Sequence, residues 1–293
     1  MVKSEQCSSY YVYLTERMDR GESKNIVIST VVDLIVQHLE SKPDIKVLDV
    51  GCFNGAMLNR IRLLTPEDIR SRVRYIGAEI DEDMISDGSG RYSDIDFKQI
   101  DLGGSVSHLG LHDIAIVSNV LHEVIPDQSE DCSEIEDAVG SAMQKIATLV
   151  KQGGNLVILD GLKPDSDSKQ IIVNYKSREL YRLYQLFAEQ YVAFKVQVEY
   201  LGENRIKTRI KDLAAFLTKA RYLHEAYWPI ESSQLYQFFT REQFYKVTDK
   251  SGFSVERFEP QVFPQEYIDE MFISVDPQIE YPVKNVLVVA RRV

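Results

Sequence analysis

Cysteine is scarce in these 293 residues: Cys7, Cys52 and Cys132 are the only three, and their separations fit neither a disulfide framework nor a C-x-x-C metal pair. No cluster of His, Cys, Asp and Glu has a metal-ligand spacing, so no metal is expected and a metal-assisted, catechol-type reaction is disfavoured. Apolar runs never approach the roughly 18 residues that a membrane-crossing helix needs, and the first residues lack a basic stretch followed by an apolar one. A reducing, cytoplasmic location without membrane contact is expected. Positive charge is in deficit too: 34 Lys and Arg face 45 Asp and Glu, a net charge of −11 that disfavours broad attraction to nucleic acid. One local exception is a run with seven cations (Lys195, Arg205, Lys207, Arg209, Lys211, Lys219, Arg221) against three acids. Internal repeats and low-complexity segments are missing.

What is present is an ordinary globule, 44% hydrophobic and 27% charged, long enough for a large core. Ile26, Val27, Val31, Leu34, Ile35 and Leu39 recur at helical spacing, which predicts a helix over residues 24–41. Thr65-Pro66-Glu67-Asp68 reads as a helix start with Thr65 at the cap, and Ser133-x-x-Glu136 reads as a capping box. Strand and helix alternate to residue 160, which implies a parallel sheet covered on both faces, with a ligand at the carboxyl ends of its strands. A helix over residues 240–250 capped by Thr240, a strand over 253–258 and a last strand over 286–290 close the same sheet.

Residues 161–239 form an insertion that such a core does not need. Leu180, Tyr184, Phe187, Tyr191 and Phe194 predict an amphipathic helix, residues 212–222 a second one, and the alternation over 194–200 before Gly202-Glu203-Asn204 fits either a hairpin or more helix. Three regions follow: a core over 1–160 with N-terminal helices, a mainly helical lid over 161–239, and the closing part of the core over 240–293. The tyrosines of the first 22 residues, Tyr10, Tyr11 and Tyr13, suit a helix over the ligand mouth.

The most informative stretch is Val47-Leu48-Asp49-Val50-Gly51-Cys52-Phe53-Asn54-Gly55: a buried strand, a carboxylate, then a glycine turn. A dinucleotide fold wants G-x-G-x-x-G with bare amides facing an anion, whereas here the spacing is G-x-x-x-G and Asp49 precedes it. A carboxylate there repels phosphate and suits an ammonium group, which argues against a nicotinamide oxidoreductase. A second strand ends in Glu79-Ile80-Asp81, where Glu79 is placed to accept hydrogen bonds from ribose hydroxyls.

These residues resemble the class I S-adenosylmethionine-dependent methyltransferases, over most of the chain. Asp49 to Gly55 is similar to that family's first motif, with Phe53 where a glycine is more usual, and Glu79 holds the ribose position. Ile100-Asp101-Leu102 is similar to the third strand end, where an acid meets the adenine amino group and the next amide meets the ring. The block from Asp113 to His122 is similar to the fourth strand and its loop, and Gly153-Gly154-Asn155 to Asp160 to the turn into the fifth. The resemblance implies S-adenosyl-L-methionine as cofactor, a seven-stranded, mostly parallel doubly wound α/β sheet with an antiparallel last strand, and Ser118 and Asn119 beside the transferring methyl.

Methyl transfer is an in-line displacement for which the cofactor brings the reactivity, so the protein chiefly aligns the nucleophile and excludes water. His122 is the candidate base, with Glu123 to orient it or to bind a cationic amine. Tyr11, Tyr175, His224 and Trp228 are candidate acceptor contacts. The expected reaction is methylation of an O or N atom of a small or medium organic acceptor beneath the lid. An RNA or protein acceptor, through the basic run, and a non-catalytic regulatory module that keeps the cofactor fold are the alternatives.

Overall fold

The computed structural model describes Tyr13 and residues 24–126, 131–276 and 282–293; Tyr11 lies outside the described residues. Helix α1 (Asn25–Leu39) leads into β1 (Ile45–Val50), followed by α2 (Ala56–Leu64), α3 (Glu67–Arg70), β2 (Val73–Glu79), α4 (Glu82–Arg91), β3 (Ile95–Gln99), β4 (His112–Ser118), α5 (Cys132–Ala147) and β5 (Val150–Leu162). The insertion contributes β6 (Gln170–Tyr175), α6 (Arg178–Gln190), β7 (Val198–Tyr200), β8 (Arg205–Arg209), α7 (Ile210–Lys219), α8 (Trp228–Ser233) and β9 (Gln237–Phe239). The chain ends with α9 (Arg241–Lys250), β10 (Phe253–Val262), α10 (Gln265–Met271), β11 (Phe272–Asp276) and β12 (Val283–Arg292).

The main sheet runs β3-β2-β1-β4-β5-β12-β10, with β1 to β5 parallel and β12 antiparallel to both its neighbours. Short β9 pairs with the end of β5. The central strands are apolar almost without interruption because both faces are covered. In β1, Val47 points into a core with Val27, Val31 and Ile35 of α1, while Leu48 points into the opposite core with Val139, Met143 and Ile146 of α5. Ile114 and Ile116 of β4 face the first core, Ala115 and Val117 the second. One residue of register slip would expose every one of these side chains to the wrong neighbour.

The insertion builds a third core and a second sheet, in the order β11-β6-β8-β7, around Tyr175, Tyr184, Phe187, Phe216 and Trp228. Helices hold more of its residues than strands do, and they pack on this small sheet. The hairpin is the one of the two local readings that forms, since β7 and β8 pair antiparallel around Gly202 and Asn204, both at positive φ. Strand β11 arrives from beyond residue 239, so this layer is made from two stretches of chain.

Two helix starts differ from the local reading. Thr65 is the end of α2, its hydroxyl donating to the Ile61 carbonyl at 2.9 Å and accepting from the Tyr75 hydroxyl at 2.9 Å; α3 begins after Pro66. Asp131 caps α5, accepting from the Ser133 amide at 2.8 Å, which frees Glu136 to pair with Lys246 of α9. Thr240 caps α9 in a capping box with Gln243.

Candidate active site

The strand order reverses between β1 and β4, and the crevice at their carboxyl ends is where such sheets bind ligands. A cavity of about 950 Å³ opens there, between the strand ends and the insertion. That is near the upper end of the roughly 300–1,000 Å³ usual for ligand pockets, so a nucleoside and a second molecule fit together.

The loop after β1 turns through three left-handed residues, Gly51 (φ 68°), Phe53 (φ 52°) and Gly55 (φ 78°). A Cβ on Gly51 would stand 2.4 Å from the Val120 side chain, and one on Gly55 would stand 2.5 Å from the Phe97 ring, so both positions demand glycine twice over. Phe53 tolerates its positive φ because its amide donates to Glu79 Oε2 at 2.8 Å, while Glu79 Oε1 accepts from the amides of Ile80 (2.7 Å) and Asp81 (3.2 Å). Glu79 thus ties the glycine loop to the end of β2. A carboxylate has about four acceptor positions, and three are used, which leaves room for a hydroxyl.

Gly51, Phe53, Glu79, the exposed Ile80, Asp101, Leu102, Ser118 and Asn119 all line the cavity. Asp101 is exposed and accepts from the Gly103 amide at 2.6 Å, and the Leu102 carbonyl accepts from Lys145 of α5. Asp49, Cys52, Asn54 and Gly55 stand behind that wall. Asp49 is 1% exposed, and neither of its carboxylate oxygens has a hydrogen-bond partner. Burial raises its pKa to about 7, Glu79 adding to the shift and Lys24 opposing it. The Cys52 thiol is driven up by burial and by the charges of Asp49 and Glu79, so it is inert as a nucleophile.

Lys24, just before α1, has no motif to mark it in the sequence. It is 6% exposed, lines the cavity, and donates to the Ser118 hydroxyl at 2.5 Å and the Ser118 carbonyl at 3.3 Å, 94 residues away. A cation beside a buried carboxylate offers both halves of a zwitterion a partner.

On the far side, Asn119 adopts φ 60° at the end of β4 and swings His122 under the end of β5. There Asp160, fully buried, accepts from the His122 Nδ1 at 2.8 Å, from the Leu121 amide at 2.9 Å and from the Gly161 amide at 2.8 Å. With Nδ1–H committed, Nε2 is the nitrogen left to take a proton in the cavity. Burial pulls the His122 pKa down, but the charge and hydrogen bond of Asp160 outweigh it, and the net shift is upward. Glu123 lines the cavity and is open to water from within it; partial enclosure raises its pKa, with the charges of Asp160 and Glu79 adding and that of His122 opposing.

The insertion completes the wall with Lys219, Arg221, Tyr222, Glu231, Gln234 and Tyr236. The Tyr236 ring meets His122 edge-on at 4.7 Å, and its hydroxyl lies between the side-chain oxygens of Asn285 (2.8 Å) and Asn119 (3.2 Å). It comes this close because the Tyr236 backbone lies on Gly161, where a Cβ would collide at 2.1 Å. Tyr175 and Trp228 are not in this wall: both are buried in the insertion's own core, which a segment of this size needs. His224 is exposed and also lies away from the cavity. Among the described residues there is no group of three metal-ligating side chains, and no helix is long and apolar enough to cross a membrane.

No protein-family model and no curated protein sequence matches the chain. Solved structures do. An S-adenosylmethionine-dependent methyltransferase from Mesorhizobium loti superposes with a TM-score of 0.50 over 94% of this chain and 100% of that one, at 15% identity. The chain has the fold of the class I methyltransferases. Another such enzyme, from Clostridium acetobutylicum, matches with a TM-score of 0.49 at 9% identity over 96% of this chain and 98% of its own. The CurJ carbon methyltransferase matches with a TM-score of 0.48 at 16% identity; the chain covers 53% of its length, about half.

Proposed function

We propose that the protein is an S-adenosylmethionine-dependent methyltransferase that modifies an oxygen or nitrogen of a small or medium-sized organic acceptor held beneath the lid. The reading rests on one observation: a single cavity joins a glycine loop pinned by Glu79 to a histidine backed by a buried aspartate. Bound there, the cofactor supplies a methyl group already activated on a sulfonium.

The residues present fit that group. Glu79 has an acceptor position for a ribose hydroxyl, and Asp101 with the Leu102 amide would receive the adenine. Lys24 would meet the carboxylate of the cofactor's amino-acid end, and Asp49, whose oxygens have no hydrogen-bond partner, would lend negative charge to its ammonium. His122 removes the proton from a hydroxyl or ammonium nucleophile at Nε2, and Asp160 holds the resulting imidazolium. Tyr236 and the lid keep water from that encounter.

Calorimetry with S-adenosylmethionine and its demethylated product tests the reading. Glu79→Ala is expected to weaken binding by about 1–3 kcal/mol, or roughly 5- to 150-fold. Absence of binding to either compound by the wild-type protein would reject it. A macromolecular RNA acceptor predicts binding that falls steeply with salt, and a flat response removes it.

A further inference from the structure

The basic run over residues 195–221 does not survive folding as a patch. Lys207 pairs with Glu199, Arg209 pairs with Asp212, and Lys211 lies over the Phe194 ring. Its last two cations, Lys219 and Arg221, reach the cavity instead. Lys219 is 2% exposed and donates to Glu231 at 2.5 Å and to Gln234 at 3.4 Å, so it is neutralised within the wall.

Arg221 differs. It is exposed into the cavity, its guanidinium rests 4.6 Å from the Tyr222 ring centre, and one nitrogen donates to the Tyr222 hydroxyl. Among the described residues no carboxylate lies within ion-pair distance of it. Ring contact and one hydrogen bond fix the plane of the guanidinium, while most of its five donors remain available for a second partner. A fork held in this way suits a carboxylate or a phosphate, each of which can accept two parallel bonds.

The strand-end side of the cavity carries both signs, Glu79, Asp81, Asp101 and Glu123 together with Lys24, Lys145 and Lys284, whereas the lid contributes the neutral Lys219–Glu231 pair and Arg221, its one net charge among the described lining residues. The aliphatic wall residues, among them Val50, Met84 and Ile100, also belong to the strand-end side. A hydrocarbon acceptor seated against the lid would strip water from ions and return nothing.

We infer that the acceptor carries an anionic group, a carboxylate or a phosphate ester, which Arg221 binds at the end opposite the nucleophile that faces His122. The inference rests on the methyltransferase reading for its His122 end; the anion site at Arg221 stands on the cavity alone.

The test uses the full chain and three rigid probes: 4-hydroxybenzoate, its neutral amide, and phenyl phosphate. Each is titrated calorimetrically into the free protein and into protein saturated with S-adenosylhomocysteine. At least one anion is expected to bind about tenfold or more tightly than the amide, and Arg221→Gln to abolish that preference without moving the affinity for S-adenosylhomocysteine. Stronger binding of phenyl phosphate identifies a phosphate ester, and stronger binding of the benzoate a carboxylate. Arg221→Lys should retain a reduced preference, since it keeps the charge and loses the fork. Equal affinity for acid and amide, no binding of any probe at about 10 mM, or undiminished anion binding by Arg221→Gln each overturns the inference. If S-adenosylhomocysteine fails to bind while the anion preference persists, the methyltransferase reading falls and the anion site remains.

Discussion

Asp160→Asn separates a histidine that works as a base from one that merely packs. The replacement keeps the volume of a fully buried side chain that accepts three hydrogen bonds. Its carbonyl oxygen can still serve Gly161 and His122 in the place of Oδ1. Its amide nitrogen then faces the Leu121 amide, donor against donor, in the place of Oδ2. One buried N–H left unsatisfied costs about 1–3 kcal/mol, and the lost attraction to His122 adds to it. A total near 3 kcal/mol lowers the thermal midpoint of a chain of this size by about 6–10 °C.

The pH dependence carries the sharper sign. In the wild type the folded state holds the His122 proton more tightly than the unfolded state, so that stabilisation is fully present below about 6.5 and is lost as pH rises through the folded value. In Asp160→Asn the charge of Asp160 is gone and its hydrogen bond becomes a neutral one, while burial still opposes the smaller pull of Glu123, so the pKa falls and the contribution shrinks. The deficit in midpoint should therefore be larger near about pH 5.5 than near about pH 9. Acceptor turnover should drop about 10²- to 10⁴-fold, with the rising limb of its pH profile displaced to lower pH. The His122 ring proton followed by NMR gives the pKa directly. An unchanged titration, with turnover within tenfold of wild type, would refute the assignment of His122 as an aspartate-held base.

Gly51→Ala should destabilise the fold by about 2 kcal/mol or more in chemical denaturation, and adding Val120→Ala should restore only part of it, because the clash is relieved while the positive φ is not. Asp49→Asn should raise the thermal midpoint more at about pH 8 than at about pH 5: burial raises the Asp49 pKa to about 7, so its contribution is present below about 3.8 and lost as pH rises through 7. The same variant should bind S-adenosylhomocysteine more weakly, and a lower midpoint at pH 8 would contradict the account. Asp113, buried but hydrogen-bonded to Lys42, Lys151 and the Lys46 amide, has its pKa lowered to about 2 despite desolvation. Its stabilisation is present above about 3.8 and lost as pH falls through 2; since Lys42 and Lys151 remain 33% and 38% exposed, solvent screening holds it to about 1–2 kcal/mol, and Asp113→Asn should flatten acid unfolding over that window.

The glycine loop and Glu79 were legible because their causes are local. A loop that must pass through three left-handed residues advertises itself through glycine, and an acid that ends a run as apolar as Tyr75-Ile76-Gly77-Ala78 stands out from its strand. Helix caps were less legible, since several hydroxyls and acids compete within a few residues and only tertiary packing chooses among them. At Thr65 the choice was made by the Tyr75 hydroxyl, and at Glu136 by Lys246. The aromatic residues of the insertion misled for a related reason. Tyr175 and Trp228 have the chemistry of acceptor contacts, but a layer that cannot borrow the main core must build its own, and the largest side chains go there first.

What escaped local reading is set by pairing across the sheet. Asp160 reaches His122 only because β4 and β5 run parallel with Ser118 opposite Leu159, which places the residues just beyond them at one height. Lys24 reaches Ser118 across 94 residues for the same kind of reason, through the packing of α1 on the sheet. A signal for Asp160 did exist: a carboxylate at the end of Leu156-Val157-Ile158-Leu159 is buried whatever the register, and a buried carboxylate must find donors. Lys219, near the end of a helix whose preceding residues are nearly all apolar, carries the same message, answered by Glu231. Arg221 carries no such mark, because a cation two residues past a helix is ordinary on any surface. Only the return of the insertion over the strand ends turns that surface into the wall of a cavity, and so the wall farthest from the glycine loop in sequence is the part that sequence pattern alone reads least well.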